Sequence, residues 1–175
     1  LRFPERRARL PETRAGMAAA QVHRALCICT TLEEFDDVHA LALAHDNFWC
    51  SAGVHPDNEG VREPSLADLL ALAAKPRVVA IGETGLDYYR LAGRSVAEME
   101  WQRERFRVHI RAARAASKPL VIHTREASAD TIRLLREEGG KSAGGVFHFH
   151  RERQGLIGWV GGVHCNSAER PPVRS

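Results

Sequence analysis

Four side chains able to hold a divalent cation recur at one kind of place in this sequence. Val54 is followed by His55, Gly82 by Glu83, Ile122 by His123 and Phe147 by His148, each at the carboxyl end of a short apolar run. Imidazole nitrogen and carboxylate oxygen together suit zinc, manganese, iron or magnesium, with the preference for histidine falling along that series. A carboxylate has two oxygens and can bridge two ions, whereas an imidazole binds one. Ions paired roughly 3.5–4 Å apart clamp the attacking and leaving oxygens in phosphodiester cleavage. Glu83, His123 and His148 are the candidate metal ligands, and scattered structural histidines are the competing reading. His23, His39, His45 and His109 have no such position and are read as packing or surface residues.

The elements that must position these groups alternate along the chain. Short apolar runs span Ala25–Thr30, Phe48–Val54, Arg77–Gly82, Pro119–Ile122 and Gly144–Phe147. They are too short for helices, and the longer ones are rich in the residues of buried strands. Between them lie helical signals. Thr31-Leu-Glu-Glu34 and Ser95-Val-Ala-Glu98 read as capping boxes, in which a hydroxyl and a carboxylate satisfy free backbone donors reciprocally. Met99, Phe106, Ile110 and Ala113 recur at helical spacing, with arginines expected on the other face. Leu66, Leu69, Leu70 and Ala73 do the same after Ser65, as do Ile132 and Leu135 after Ser128.

This succession predicts an α/β fold with a parallel sheet and helices packed outside it. An open doubly wound sheet gathers only the strand ends near its switch point. A (β/α)8 barrel of the TIM type gathers all its carboxyl ends at one mouth, where barrel enzymes keep their chemistry. Four consecutive runs end in a potential ligand, and no glycine-rich dinucleotide fingerprint follows the first run. Both observations favour the barrel.

At 175 residues, 44% hydrophobic and 27% charged, the chain has ordinary globular composition and enough length for one sizeable core. No apolar run approaches the ~20 residues needed to span a bilayer, so a membrane partner is not expected. The net charge of +3 conceals two basic clusters, one in residues 2–24 and one in 103–118. Such clusters suit a phosphate-rich partner through counterion release, and equally suit a solvated helix face. Cys27, Cys29, Cys50 and Cys165 form no CxxC pair and are read as reduced thiols of a cytoplasmic protein rather than as a zinc site.

The segments Gly53-Val-His-Pro56, Gly82-Glu-Thr-Gly-Leu-Asp-Tyr-Tyr89, His123-Thr-Arg125 and Val146-Phe-His148 resemble, in order and spacing, the TatD family of metal-dependent deoxyribonucleases. Trp101-Gln102 to Phe106 and Lys118-Pro119 look like the same family. The resemblance implies an amidohydrolase-like barrel that hydrolyses DNA with divalent ions, two of them in the full-length family (Mg, Mn or Zn). By the same resemblance Glu83 is the bridging carboxylate, and His123 and His148 hold the second ion. His55 and Arg125 match positions near the substrate phosphate, where a fixed cation stabilises developing charge. Asp87 and Tyr89 match motif positions with a supporting or loop-shaping role. Asp57 stands where relatives commonly have a histidine, so no ligand role transfers to it.

The family also has an early His-x-His pair and a late aspartate, the expected water-activating base, and neither is matched here. The catalytic base is therefore unassigned, and at most one ion per chain is expected. Residues 1–148 are read as a partial barrel domain, truncated at both ends, and 149–175 as an atypical tail. Truncation with a shifted frame is one explanation of that tail, and a reduced relative with a new tail is the other. DNA is the expected substrate and the oligomeric state is open. The alternative functions are an inactive remnant that binds metal or nucleic acid, and an amidohydrolase-type enzyme acting on a small molecule.

Overall fold

The computed structural model describes residues 9–89, 91–149 and 163–165, with 148, 149 and 163–165 described through their backbone alone. Helix α1 (Leu10–Ala19) precedes strand β1 (Ala25–Cys27), and α2 (Phe35–Leu43) leads to β2 (Phe48–Ala52). Helix α3 (Leu66–Ala73), β3 (Val78–Asp87), α4 (Glu100–Ala116), β4 (Leu120–Arg125), α5 (Ser128–Glu137) and β5 (Gly145–Phe149) continue the alternation. A further strand, β6 (Val163–Cys165), pairs with β5 through Phe147 and Cys165.

All the pairings are parallel, and the sheet order is β1-β2-β3-β4-β5-β6. Strand order that follows chain order without reversal is the order of a (β/α)8 barrel. A doubly wound sheet would place later strands on the other side of the first. The incomplete-barrel expectation is met. β6 falls in the stretch after 148, where neither alternation nor helical period is visible in the sequence.

Local chemistry explains the elements. The Ser95–Glu98 capping box forms, with Glu98 accepting from the Ser95 backbone N–H at 2.8 Å. Thr31 and Glu34 exchange the equivalent bonds at 3.2 and 3.3 Å, just ahead of the first residue of α2. Ser65 and Asp68 form a further box at the start of α3. Helix α1 is absent from the sequence reading because it buries no residue and so carries no periodic apolar signal.

The main core lies between α4, α5 and strands β3–β5, around Met99, Phe106, Ile110, Leu134, Ile122 and Phe147. Each of these side chains is at most 2% exposed, and full burial of one such group contributes roughly 1.5–3 kcal/mol. A second cluster packs Cys29, Phe35, Val38, Ala42 and Cys50 under α2. Cys29 and Cys50 are buried thiols, pushed up by burial to about 12 and about 11 respectively, and Cys27, Cys29 and Cys50 are unbridged. No helix of the described residues is long and apolar enough to cross a membrane.

Two expectations change in detail. Strands β3 and β4 continue past the apolar runs to Asp87 and Arg125, so Glu83 and His123 lie within strands rather than after them. The arginines of α4 also do not all face water. Arg103 is 7% exposed and Arg105 3%, and both are bonded to the protein interior. Their long side chains carry the charge past the helix, to the carbonyls of Val96, Ala97, His55 and Asn58 and to the carboxylates of Glu100, Asp130 and Glu63.

Candidate metal centre

The site begins with a departure from regular pairing. In β3, Gly82 pairs with Val121 and Thr84 with Ile122, so Glu83 is the extra residue of a β-bulge. A bulge re-aims the side chain it carries. It is permitted by Gly82, at φ +141°, because a Cβ there would collide with the Val121 carbonyl oxygen. The Glu83 backbone N–H, released from the β4 ladder, donates to the Cys29 carbonyl at 3.0 Å. Glu83 itself is 8% exposed.

Around this carboxylate two imidazoles converge. Glu83 Oε1 lies 3.4 Å from His123 Nδ1 and 3.8 Å from His55 Nε2. The two rings meet edge to face with centroids 4.4 Å apart. One donor atom from each of His55, Glu83 and His123 can be chosen so that all lie within 4.8 Å of one another. Among the described residues this is the one group of three or more such side chains so placed. Two imidazole nitrogens and a carboxylate oxygen, largely buried and at the carboxyl ends of barrel strands, fit a divalent ion of the zinc or manganese kind.

The surroundings fix each candidate ligand. Nε2 of His123 faces Asp87 Oδ2 at 2.9 Å, which leaves Nδ1 directed at the cluster. A carboxylate behind a ligating histidine sets its tautomer and raises its basicity. Burial pushes the His123 pKa down, but bonds to Asp87 and Glu83 outweigh it and raise it to about 9. His55 moves the other way, lowered chiefly by burial against the partial compensation of Glu83. The Asp57 backbone N–H meets His55 Nδ1 at 3.1 Å. Burial would raise the Asp87 carboxyl, but its bonds to His123 and to the Tyr89 backbone N–H hold it below the usual carboxylate range.

One helix face organises these supports. Gln102, Arg105 and His109 are buried polar residues at i, i+3 and i+7 on α4, hence on one side of it. The Gln102 side chain accepts from the Asp87 N–H at 2.9 Å and donates to the Asp87 carbonyl at 3.1 Å. Arg105 donates to the carbonyls of His55 and Asn58 at 2.8 and 2.9 Å and pairs with Glu63. His109 Nε2 accepts from the Val54 N–H at 3.0 Å, and its Nδ1 bonds the Arg105 carbonyl at 2.7 Å. His109 is thus the buried packing histidine expected from the sequence, and it also secures the strand end that carries His55. The positioning roles of Gln102 and Arg105 were hidden, because their spacing within a charge-rich helix looks like an ordinary solvated face.

The sequence candidates distribute as follows. Glu83 and His123 come together, and His55, expected at the substrate phosphate, joins them at ligand distance. His148 pairs in register with His123 on the neighbouring strand, and its side chain lies outside the described residues. Arg125, two residues beyond His123 on β4, stacks its guanidinium on the Tyr89 ring at 3.3 Å from the centroid. The late aspartate position expected from the resemblance has no counterpart among the described residues.

The family described as TatD related DNase matches residues 2–160. An Escherichia coli K12 protein named uncharacterized metal-dependent hydrolase YcfH is 41% identical over 145 residues, covering 82% of this chain and 52% of its own length. A Cronobacter turicensis protein named 3′-5′ ssDNA/RNA exonuclease TatD is 38% identical over 135 residues, covering 77% of this chain and 50% of its own. The crystal structure of YjjV, a TatD homolog from Escherichia coli K12, matches with a TM-score of 0.75 at 24% identity, over 86% of this chain and 57% of that one. That likeness is one of fold. The chain spans about half the length of the curated relatives it matches.

Proposed function

The chain belongs to the TatD-related DNase family, and from that premise we propose that it forms the metal-holding part of a hydrolase that cleaves phosphodiester bonds in DNA. The observation that carries this reading is the convergence of His55, Glu83 and His123 on one point at the mouth of the sheet. The name of the Cronobacter relative, an exonuclease on single-stranded DNA and RNA, supports a polynucleotide substrate.

In this reading Glu83 and His123 are ligands, His55 completes the set, and His148 adds a donor from β5. A divalent ion held there supplies Lewis acidity toward a phosphoryl oxygen. The protein's own part is positional. Asp87 keeps the Nε2 proton of His123, so that Nδ1 remains available to the ion. Arg125 supplies a fixed positive charge for the phosphate at the same strand ends. The bulge at Glu83 aims its carboxylate between the two imidazoles.

The test starts with the chain itself. After equilibration with zinc or manganese and removal of free ion, elemental analysis should find one ion per chain. Glu83→Gln should abolish that binding. A version carrying the relatives' remaining barrel length should degrade DNA with divalent metal and stop on chelation. Retention of the ion by Glu83→Gln, or cleavage that survives chelator, would sink the proposal.

A further inference from the structure

Among the described residues the sheet ends at β1, which pairs with β2 alone. Its middle residue, Leu26, is 39% exposed, and proteins normally cover an open apolar edge of this kind. A groove runs beside it. Leu10 and Met17 of α1 form one wall, Val38 and Leu41 of α2 the other, with β1 between them and Glu83 at the edge of the groove. Helix α1 has ten residues and buries none of them. A helix so short is marginal unless an apolar face is packed. Helix and groove therefore lack the same thing, an apolar body between them.

The concave face of the sheet has the same gap. Cys27 and Cys50 belong to the cluster under α2, and Ile122 and Phe147 to the cluster under α4 and α5. The alternating neighbours Leu26, Trp49, Val121 and Val146 line the opposite face. Exposure along this row rises towards the margins of the sheet. Val121 on the central β4 is 6% exposed, whereas Val146 on β5 and Leu26 on β1 are 38% and 39% exposed. In a closed barrel such a row is a packed interior layer. Trp49 is half-buried, with the guanidiniums of Arg24 and Arg77 at 5.8 and 5.4 Å from its ring centroid. Tryptophan and arginine are the side chains that most often dominate contacts between proteins.

We propose that this margin is an interface between two copies of the chain, related by a two-fold axis along the strands. That axis sets the concave faces against each other. It also brings α1 and β1 of each copy to the β5 side of the other, with all strands still parallel, so that both open margins are covered twice over. A small apolar ligand would fill the groove and leave Val146 open; a second copy covers both. The chain spans about half the length of the curated relatives it matches, so a second copy brings the bulk that the groove and the inner row lack. The inference is independent of the hydrolase reading.

Sedimentation equilibrium of the full chain over a series of concentrations should fit a monomer–dimer equilibrium. Leu26→Glu and Met17→Glu should each raise the dissociation constant at least about tenfold. Met17 lies on the helix that buries nothing, so its substitution leaves the core intact. Leu66→Glu, at an exposed leucine of α3, should leave the constant unchanged. Hydrogen exchange of the wild type locates the interface independently. The Ala25 N–H bonds the Asn47 carbonyl, so the alternation of a parallel ladder turns the N–H groups of Leu26 and Ile28 to the open edge. Both should exchange more slowly in the dimer than at concentrations where the monomer prevails. A monomer at every concentration overturns the proposal, as do assemblies that grow beyond two copies. A dimer untouched by both glutamates, or one whose Leu26 and Ile28 amides exchange at the monomer's rate, has its interface elsewhere and overturns it as well.

Discussion

His123 and Asp87 share a hydrogen bond of 2.9 Å between Nε2 and Oδ2, and that bond turns the other ring nitrogen toward Glu83. Without it the imidazole could rotate and present either nitrogen, or neither, to the cluster. Asp87 is held in turn by the Gln102 amide, which bonds both its backbone groups. The order of dependence runs from helix α4 to Asp87, from Asp87 to His123, and from His123 to the candidate metal position beside Glu83.

Asp87→Asn is expected to lower zinc affinity about 10–100-fold, the usual cost of altering a carboxylate behind a ligating histidine. The amide fills the same space and its oxygen can still accept from the Tyr89 N–H, so the fold should remain. Competition against a chromophoric chelator measures the affinity. An unchanged zinc constant in a folded Asp87→Asn chain would remove Asp87 from the site.

Much of this arrangement is legible in the sequence, for identifiable reasons. Buried parallel strands must be short, apolar and β-branched, so the five runs stand out. A candidate ligand after each of the last four runs stands out against them. The bulge at Glu83 stands out less: Gly82 permits it, but the close approach of β3 to β4 that calls for it is not written along one strand. The commitments of Arg103 and Arg105 are hidden as well, since an arginine in a helix reads the same whether its partner is water or a carbonyl from another loop. His55 was legible as a site residue, but its distance from Glu83 depends on how far β2 extends relative to β3. No pattern along one strand contains that quantity.

Gly85 follows the bulge with φ +129°, and a Cβ there would drive into the His123 carbonyl oxygen. Gly85→Ala should therefore combine backbone strain with separation of β3 from β4. A loss of about 3 kcal/mol is expected, together with weakened metal binding because His123 belongs to the displaced segment. Urea denaturation of the two chains checks the first part, and a difference under about 0.5 kcal/mol would contradict it.

Arg105 has a side chain only 1% exposed, between Glu63 and the carbonyls of His55 and Asn58. Its loss leaves three acceptors without their donor, one of them a carboxylate. Arg105→Met should destabilise the fold by about 1–3 kcal/mol, chiefly because the carbonyls of His55 and Asn58 lose their donor, while Glu63, 56% exposed, can turn to water. Arg105→Met with Glu63→Gln should match the single variant to within about 0.5 kcal/mol, because an exposed carboxylate is solvated without its partner. A double variant clearly more stable than the single one would show instead that the Glu63 charge, and not the two carbonyls, sets the cost.

His109 supplies the pH dependence. Burial lowers its pKa to about 4 from an ordinary value near 6.5, against a partial rise from its bond to the Arg105 carbonyl. The unfolded chain therefore binds a proton below about pH 6.5 that the folded chain refuses until about pH 4. Stability must fall as pH drops through this window and level off below it, for this group alone. The full effect is on the order of 3 kcal/mol. Protonation would also break the bond that Nε2 accepts from the Val54 N–H, one residue before His55. His109→Gln can still accept from Val54 through its amide oxygen while having nothing to titrate. Denaturation of both chains at pH 7.5, 6, 5 and 4.5 isolates the contribution, since every other carboxylate and histidine is common to the two. The wild type should lose stability faster than His109→Gln between pH 6.5 and 4.5. Parallel curves would mean that water reaches His109 and that its burial does not control the acid response.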